Sequence, residues 1–463
     1  MTAPHSMTVL ADLWRAAGQP ADALDAVELT GTEPLLPSSF AIGILAQTTI
    51  AAAALAAAEL WRLRSGRRQR VSIAMRDAEI EFRSERYLCV DGKLCPEYMD
   101  PIHGIHRCRD GRWVRIHANF PHHRDGVLSL LRCEHSRAAV AQALANWDAE
   151  VFEEAAANAG LVATMSRSFA EWDRHPQGRV LSALPLFTIE RIGEAPPQAM
   201  PSGDRPLSGI RVLELTRVIA GPVSGRTLAV HGADVLLVTG AHLPSMEPLV
   251  IDNGRGKRST AIDLRDTAGR ATLTSLLRDA DVFVQGYRPG AIAARGFGPQ
   301  DAARSRPGIV YVSLSAYGHE GPWAQRRGFD SLVQNVNGLN VAEAEAAHTE
   351  TPKALPAQAI DHATGHLMAF AAMTALARRA REGGSWHVRV SLAQTGHWLR
   401  SLGRVDGLAH PDPGLAEVRD RLEESDSGFG RLTAVRHAAN MSETPPRWAR
   451  PSMPLGSHPP SWR

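Results

Sequence analysis

The chain has 463 residues, long enough for about two to four domains with a large buried core. Hydrophobic residues make up 44% and charged residues 22%, the balance of a soluble globular protein. The formal net charge of +2 gives no reason to expect a nucleic acid as partner, and four cysteines are too few for a disulfide framework in a chain of this length.

Residues 1–99 are predicted to form an N-terminal, mainly helical segment. The start MTAPHSMTVLADLW has no cationic region followed by an apolar core, so we do not expect it to be a secretory signal. The stretch from Phe40 to Trp61 approaches membrane-spanning length, but it is mostly alanine and includes Gln47 and Glu59. This composition predicts a buried core helix rather than a membrane span. We therefore expect no membrane partner and a cytoplasmic location.

Residues 100–195 are predicted to form a smaller α+β domain. RWVRIHA, residues 112–118, alternates like a half-buried strand, and two helical patterns follow it. Cysteine and histidine side chains occur near the start of this region, but they lack the paired C-x2-C or H-x3-H spacing of zinc sites (Cys95, His103, His106 and Cys108). The sequence therefore predicts no metal site.

Residues 205–402 follow the proline-rich linker APPQAMPSGDRP and are predicted to form a Rossmann-like domain. Short apolar strands alternate here with helical patterns, which favours a doubly wound, mainly parallel sheet in an α/β fold. The strands are expected near residues 210–215, 233–238, 281–286, 309–315 and 387–393. Ligands of such sheets bind at the carboxyl ends of the strands. Residues 403–463 are rich in Pro, Arg and Ser and are predicted to form an extended C-terminal tail.

A faint internal repeat relates the first segment to the last part of the Rossmann-like domain. A shift of 319 residues places Leu36-Pro37 on Leu355-Pro356 and Arg70-Val71-Ser72 on Arg389-Val390-Ser391. A helix followed by a strand therefore occurs twice. Under the same shift, Asp361 falls on Ile42, so the second copy has an acid that the first lacks.

Asp361 precedes a long run of Ala, Leu and Met, and two roles fit that position. As a helix cap, its oxygens would accept from free backbone N–H groups. As a nucleophile, it would attack an activated acyl group, and a helix N-terminus would lower its pKa and present donors to the oxyanion. Gly365, one turn later, would suit either the approach of a bulky substrate or close helix packing.

Three further segments suggest an anionic substrate with a flat base, and each has a structural alternative. RGKRS, residues 255–259, could bind phosphates or be a solvated charged loop. RVIAGP, residues 217–222, could present backbone N–H groups, although it lacks the G-x-G-x-x-G pattern of dinucleotide sites. GYRPGAIAARG, residues 286–296, could stack Tyr287 on a base or be an ordinary turn.

Six motifs in this order resemble the class III coenzyme A transferases: LSGIRVLELTRVIAGP, GADVLLV, RGKRSTAIDL, ADVFVQGYRPGAIAARGFG, YVSLSAYGHEGPWAQRRGFDSLVQ and AIDHATGHLMAFAAMTAL. The resemblance covers residues 207–402, and residues 35–195 resemble the later part of a large domain followed by the family's small domain. It implies that Asp361 forms a mixed anhydride and then an aspartyl-CoA thioester. It also implies an interlocked homodimer, and it places CoA contacts at Val218, Ala220, Lys257, Arg258, Gly286, Tyr287 and Arg295.

Three features depart from the family pattern. Thr239 and Gly240 stand where a Glu and a basic residue usually follow the second strand, and the segment order is unusual, as in a tandem whose first copy has lost its front half. Phe329 occupies the place of the histidine used by racemase members, and phenylalanine cannot exchange a proton. The sequence therefore predicts a transferase that moves CoA, as a substrate and not as a resident cofactor, from an acyl-CoA to a carboxylic acid. An acyl-CoA racemase or isomerase and a non-catalytic CoA-binding subunit are the alternatives.

Overall fold

The computed structural model describes residues 4–96 and 99–462. The fold is mixed α/β, with one large, mainly parallel sheet and three small sheets. Four short 3-10 turns connect the elements (Ala21–Ala26, Ser84–Arg86, Ala293–Arg295 and Arg419–Arg421).

The N-terminal segment contains three helices and four short strands. In chain order they are α1 (Ser6–Ala16), β1 (Val27–Thr30), α2 (Ile42–Ser65), β2 (Val71–Ala74), α3 (Met75–Glu81), β3 (Cys89–Val90) and β4 (Lys93–Leu94). Among the described residues, α2 is the one helix whose length and apolarity would allow it to cross a membrane. Its most apolar stretch is entirely buried within the protein, as predicted for a core helix.

The small α+β unit has its own sheet and its own hydrophobic core. Its elements are β5 (Gly104–Arg107), β6 (Trp113–Ile116), α4 (Pro121–Leu131), α5 (Arg137–Leu144), α6 (Ala149–Asn158) and β7 (Ala163–Met165). The next helices, α7 (Phe169–Arg174) and α8 (Pro176–Ser182), contribute Trp172 and Leu181 to the hydrophobic core of the large unit. The sheet has the antiparallel order β5-β6-β7, and a separate cluster of buried side chains from Ile102 to Met165 fills its core.

The remaining elements form the large unit and the C-terminal segment. The strands are β8 (Phe187–Gly193), β9 (Arg211–Leu215), β10 (Asp234–Thr239), β11 (Lys257–Ala261), β12 (Val282–Gln285), β13 (Val310–Ser315), β14 (Ser385–Ser391), β15 (Leu422–Ser427), β16 (Gly430–Val435) and β17 (Asn440–Met441). The helices are α9 (Ala220–Val230), α10 (Glu247–Asn253), α11 (Thr267–Arg278), α12 (Pro299–Ser305), α13 (Asp330–Val336), α14 (Leu339–Ala346), α15 (Ala359–Glu382) and α16 (Leu392–Ser401).

The large sheet has the strand order β11-β10-β9-β12-β13-β14-β8. All neighbours are parallel except β8, which runs antiparallel to β14. From β9 the chain first moves outward through β10 and β11, and then crosses to the other side of β9 to form β12, β13 and β14. Because the strand order reverses between β9 and β12, the loops that follow these two strands diverge and leave a crevice at the carboxyl edge.

Alternate side chains of the central strands enter two different hydrophobic clusters. Val212 and Val282 pack in the cluster that contains α2 and α15, while Leu213 and Phe283 pack in the cluster that contains α11. This period of two is the one expected for strands buried on both faces.

The 24-residue helices α2 and α15 pack against each other, and α15 also packs on α9. Gly365 allows this second contact, since a Cβ at its position would lie 2.5 Å from the carbonyl oxygen of Ala220. Of the two roles open for Gly365, the structure therefore supports helix packing.

Two predicted boundaries require correction. β8 lies inside the region assigned to the small domain, yet it pairs with β14 of the large sheet, and Trp172 and Leu181 before it pack in the large hydrophobic cluster. The core of the small unit therefore ends at Met165. Residues 403–463 are also more than an extended tail. The hairpin β15–β16 joins β3–β4 in a four-stranded sheet, and β17 pairs with β2. These strands pair with partners over 300 residues earlier, a pairing that local composition does not reveal.

Candidate active site

A cleft of about 500 Å³ lies at the carboxyl edge of the large sheet. Its walls are the segments that follow β9, β10, β12 and β13, together with Asp361 from the first turn of α15. The small unit closes one side with Phe120, His122 and His123. The cleft therefore occupies the switch point between β9 and β12, where ligands of such sheets bind.

Most of the predicted site residues line this cleft. The structure brings together Val218, Ala220, Gly286, Tyr287, Arg295 and Asp361. Val218 has a φ of 74°, an unusual conformation for a β-branched residue that often marks a functional loop. It stands just before α9, whose first N–H groups have no partner within the helix and lie next to the cleft at Ala220.

Lys257 and Arg258 do not line the cleft. The Lys257 side chain is 2% exposed, and its Nζ lies 2.8 Å from Oε2 of the fully buried Glu214 and donates to the carbonyl of Pro222. Arg258 forms an ion pair of 2.7 Å with Asp234. Their assignment as phosphate contacts is therefore not supported by their positions. The physical reason is that a buried carboxylate between two strands needs a cation, which Lys257 supplies.

Asp361 is not the cap of α15. The helix begins at Ala359 with Gln358 at the N-cap position, so Asp361 is the third residue of the first turn. The backbone N–H of Asp361 donates to Oδ2 of Asp330 at 2.8 Å, and the side chain of Gln334 donates to the other oxygen of Asp330. The buried carboxyl group of Asp330 therefore caps α15 from a neighbouring helix, which leaves the carboxyl group of Asp361 available to the cleft.

The electrostatic environment of Asp361 is unfavourable for a charge. Its side chain is 6% exposed, and burial raises its pKa well above the ordinary value, with further contributions from Asp330 and Glu85. Glu85 itself contacts Nε2 of His362 at 3.1 Å. The expectation that the helix N-terminus would lower the pKa of Asp361 is thus wrong in direction, because burial and two nearby acids outweigh the helix dipole.

The cleft is otherwise cationic. Asp361 is the one acidic residue among those that line it, whereas six arginines do so (Arg217, Arg265, Arg288, Arg295, Arg326 and Arg327). Arg265 pairs with Asp263, and Arg326 pairs with Glu154. Within residues 4–96 and 99–462, Arg288 and Arg327 form no ion pair. A site of this charge suits a polyanionic ligand.

The sequence analysis missed Asp330, His122 and His123. Asp330 lies directly after Phe329 in the motif that ends RRGFDSLVQ. The two histidines stand in HANFPHH, whose clustered aromatic and imidazole groups were the available signal. His122 and His123 line the same cleft as Asp361 because the small unit packs on the large unit. No local sequence pattern predicts that packing.

Residues 207–413 match the profile of the family described as CoA-transferase family III. The match covers slightly less than half of the chain and shows that this segment is similar to CoA-transferase family III. It contains all six quoted motifs, both central strands of the crevice and Asp361.

Curated relatives of this segment include the acetyl-coenzyme A transferase nodX of Hypoxylon pulicicidum, which is 38% identical over 216 residues, 45% of this chain and 36% of that protein. Succinyl-CoA:glutarate CoA-transferase of Homo sapiens is 34% identical over 155 residues, 31% of this chain and 35% of that protein. The chain thus spans about a third of the length of these relatives. The crystal structure of Rv3272 from Mycobacterium tuberculosis is 31% identical, with 43% of this chain and 59% of that chain covered and a TM-score of 0.38.

Two of the three departures from the family III pattern lie at the cleft itself. Thr239 and Gly240 line it after β10, where they contribute no charge. Phe329 also lines it, and its ring stacks on His117 of the small unit with 3.9 Å between centroids. Among the described residues, no group of three or more His, Cys, Asp or Glu side chains is placed to hold a metal ion.

Proposed function

We propose that this chain transfers coenzyme A from an acyl-CoA to a carboxylic acid, with Asp361 as the nucleophile. One observation carries the proposal. Asp361 is the single acid among the residues that line a cationic cleft, and Asp330 fulfils the capping role that Asp361 would otherwise have.

The chemistry follows from the position of this carboxyl group. The Asp361 carboxylate attacks the thioester carbonyl, the thiolate of CoA leaves, and a mixed anhydride forms. The thiolate then attacks the aspartyl carbonyl, which releases the first acid and leaves an aspartyl-CoA thioester. An acceptor carboxylate reverses both steps and leaves as the new acyl-CoA. Free N–H groups at the start of α9 are suited to stabilise the oxyanions.

The raised pKa of Asp361 fits a nucleophile that works in a desolvated site. A buried carboxylate without hydrogen-bonding partners is a stronger nucleophile than a solvated one, but it has to lose its proton first. Among the described residues no arginine of the cleft forms an ion pair with Asp361, and burial, Asp330 and Glu85 raise its pKa. Turnover should therefore fall as the pH decreases through the raised pKa of Asp361.

We assign the CoA phosphates to the loop that follows β12. Arg288 and Arg295 lie in this loop beside Tyr287, whose ring is available to pack against the adenine base. Arg295 donates to the carbonyl of Leu264 at 2.8 Å, which holds its guanidinium at the cleft. Val218, Ala220 and Gly286 would contribute backbone contacts.

Trapping with hydroxylamine tests the covalent step. Purified protein is incubated with an acyl-CoA and hydroxylamine, and its peptides are analysed by mass spectrometry. The proposal predicts a hydroxamate at Asp361, and none in Asp361→Asn. A hydroxamate at another acid, or transfer activity without any trapped residue, would contradict the assignment of Asp361.

A racemase or isomerase activity is the second candidate. Phe329 removes the expected histidine, but His122 and His123 of the small unit line the same cleft and could exchange a proton. Incorporation of deuterium at the α-carbon of a 2-methylacyl-CoA in D₂O would favour this candidate. A protein that shows neither exchange nor trapping but still binds CoA would be a non-catalytic binding subunit.

We further infer a doubly wound large domain, a cytoplasmic location and a homodimer. The two hydrophobic clusters on opposite sides of β9 and β12 support the first inference. Assembly is testable by sedimentation at micromolar concentration. Since the small unit of the same chain already lines the cleft, a monomer would be compatible with a complete site.

A further inference from the structure

A buried ion pair lies beside the β9–α9 loop, residues 216–219, which lines the cleft. Glu214 of β9 is fully buried, and Nζ of Lys257 from β11 lies 2.8 Å from its Oε2. The hydroxyl group of Thr216 donates to Oε1 of the same carboxylate at 2.6 Å. Lys257 also donates to the carbonyl of Pro222 in the first turn of α9 at 2.7 Å. The pair therefore connects the first residue of the loop with the helix that follows it.

The β9–α9 loop contains a strained residue. The φ of Val218 is 74°, a conformation that a β-branched side chain keeps only where its surroundings hold it. The carbonyl of Val218 accepts from the side chain of Asn253 across 3.5 Å, which is long for a hydrogen bond. The contacts of the ion pair at Thr216 and Pro222 are shorter and involve charged groups, which form stronger hydrogen bonds. The ion pair therefore restrains both ends of the loop more strongly than Asn253 restrains its centre.

The loop determines where the free N–H groups at the start of α9 lie. Among the described residues, no side chain caps α9, and the backbone N–H groups of Ala220 and Gly221 have no acceptor. A Cβ at Gly365 would lie 2.5 Å from the carbonyl oxygen of Ala220, and Gly365 stands one turn after Asp361 on α15. The start of α9 therefore lies beside the helix that carries the proposed nucleophile, and Ala220 and Asp361 line the same cleft.

We infer that Glu214 and Lys257 are positioning residues, which hold the β9–α9 loop so that the free N–H groups of α9 donate to the oxyanion formed during transfer. This inference rests on the proposed function. When the carboxylate of Asp361 attacks the thioester, an O–C bond forms and the carbonyl electrons move to the oxygen. They return as the C–S bond breaks and the CoA thiolate leaves. Neither Glu214 nor Lys257 lines the cleft, so the pair acts through the backbone of the loop and not by contact with the substrate.

The first test replaces the pair with neutral side chains of similar size, in the double variant Glu214→Gln/Lys257→Met. The assay measures CoA release from acetyl-CoA in a single turnover with hydroxylamine present, and thus follows the attack by Asp361. We expect the maximal rate per folded molecule to fall about tenfold or more, because misplaced oxyanion donors lose much of their effect. The half-saturating concentration of acetyl-CoA should stay within about threefold of the wild-type value.

A matched control is the buried pair of Asp281 and Arg379, with 2.9 Å between Oδ1 and Nη1. Asp281 directly precedes β12, so this pair lies at the amino edge of the same sheet, away from the cleft. The double variant Asp281→Asn/Arg379→Met should keep the maximal rate per folded molecule within about twofold, even where its Tm falls.

Rescue by a glycine separates positioning from a purely structural role. Glycine adopts a positive φ without steric cost, so Val218→Gly removes the strain that the pair holds. Added to Glu214→Gln/Lys257→Met, it should raise the rate at least about threefold, a larger gain than the same substitution gives in the wild-type background. Thr216→Val is a milder variant that removes one hydrogen bond to Glu214 and keeps the ion pair, so the rate should fall about threefold or more. Thr216→Ser, which keeps the hydroxyl group, should restore it.

An unchanged maximal rate in the Glu214→Gln/Lys257→Met variant, or an equal loss in the control variant, would overturn the inference, as would a failure of Val218→Gly to raise the rate. If the double variant does not fold, Thr216→Val and Thr216→Ser decide by the same criteria. If the wild-type protein releases no CoA, the proposed transfer fails separately for this donor, and hydrogen exchange of the backbone amides then decides. Faster exchange in residues 216–223 of the double variant than in the control variant supports the positioning role, and unchanged exchange overturns it.

Discussion

Replacement of Asp361 by Asn separates the nucleophile from a structural role more sharply than any other substitution. The amide has nearly the same shape as the carboxyl group but cannot ionise, and it is a far poorer nucleophile. Because Asp330 accepts the backbone N–H of Asp361, the cap of α15 stays intact in the variant. We therefore expect a folded protein that binds CoA, with turnover reduced by several powers of ten.

The effect on stability has a defined sign. Burial, Asp330 and Glu85 raise the pKa of Asp361, so the folded protein holds this proton more tightly than the unfolded chain does. The contribution of Asp361 to the free energy of unfolding is therefore lost as the pH rises above the ordinary carboxyl range. The Asn side chain does not ionise, so the free energy of unfolding of Asp361→Asn does not decrease in this way as the pH rises. At pH 8 the variant should be more stable than wild type by about 1–3 kcal/mol, the typical cost of an unsatisfied buried polar group.

Thermal unfolding followed by circular dichroism at pH 5 and pH 8 measures this difference. An increase in Tm of about 2–4 °C per kcal/mol is expected for a domain of this size, with a larger increase at pH 8 than at pH 5. Asp361→Ala is the control: it also removes the ionisable group, so its stability relative to wild type should rise between pH 5 and pH 8 as in Asp361→Asn, offset by a constant cost for the lost side-chain packing. An Asp361→Asn variant that is less stable at both pH values, or that retains a tenth of wild-type transfer, would refute the reasoning.

Three further predictions concern the neighbours of this site. Asp330→Asn removes a negative charge beside Asp361, so the acidic limb of the pH profile of kcat/KM should move to lower pH; an unchanged limb would exclude electrostatic coupling. Lys257→Ala leaves Glu214 buried without its cation and should lower the free energy of unfolding by about 3–5 kcal/mol in a denaturant titration, whereas the double variant with Glu214→Gln should recover part of this loss. Gly365→Ala forces a methyl group against the backbone of α9 and should lower the Tm through a cost of about 1–3 kcal/mol; an unchanged Tm would show that α15 can shift without penalty.

The sequence by itself predicted the central strands of the large unit and the position of Asp361 at the carboxyl edge of their sheet. Apolar runs of strand length alternate with helical patterns from residue 205 onward, and β9, β10, β12, β13 and β14 form where these runs predicted them. The alanine-rich stretch after Phe40 forms the buried helix α2, as its alanine content and its polar Gln47 and Glu59 predicted. The formation of these strands and helices depends on residues within a few positions of one another, so the sequence alone predicts it.

Only the tertiary structure decided which groups meet at the cleft. Lys257 was predicted to bind phosphate, but its Nζ forms a buried ion pair with Glu214, which lies 43 residues earlier in the sequence. Asp330 caps a helix that begins 29 residues later, and His123 reaches Arg327 across 204 residues. The β15–β16 hairpin pairs with strands near residue 90. Each of these contacts depends on the packing of segments that are distant in the sequence. Buried polar groups need hydrogen-bonding or ionic partners, and no local sequence pattern predicts partners that lie so far along the chain.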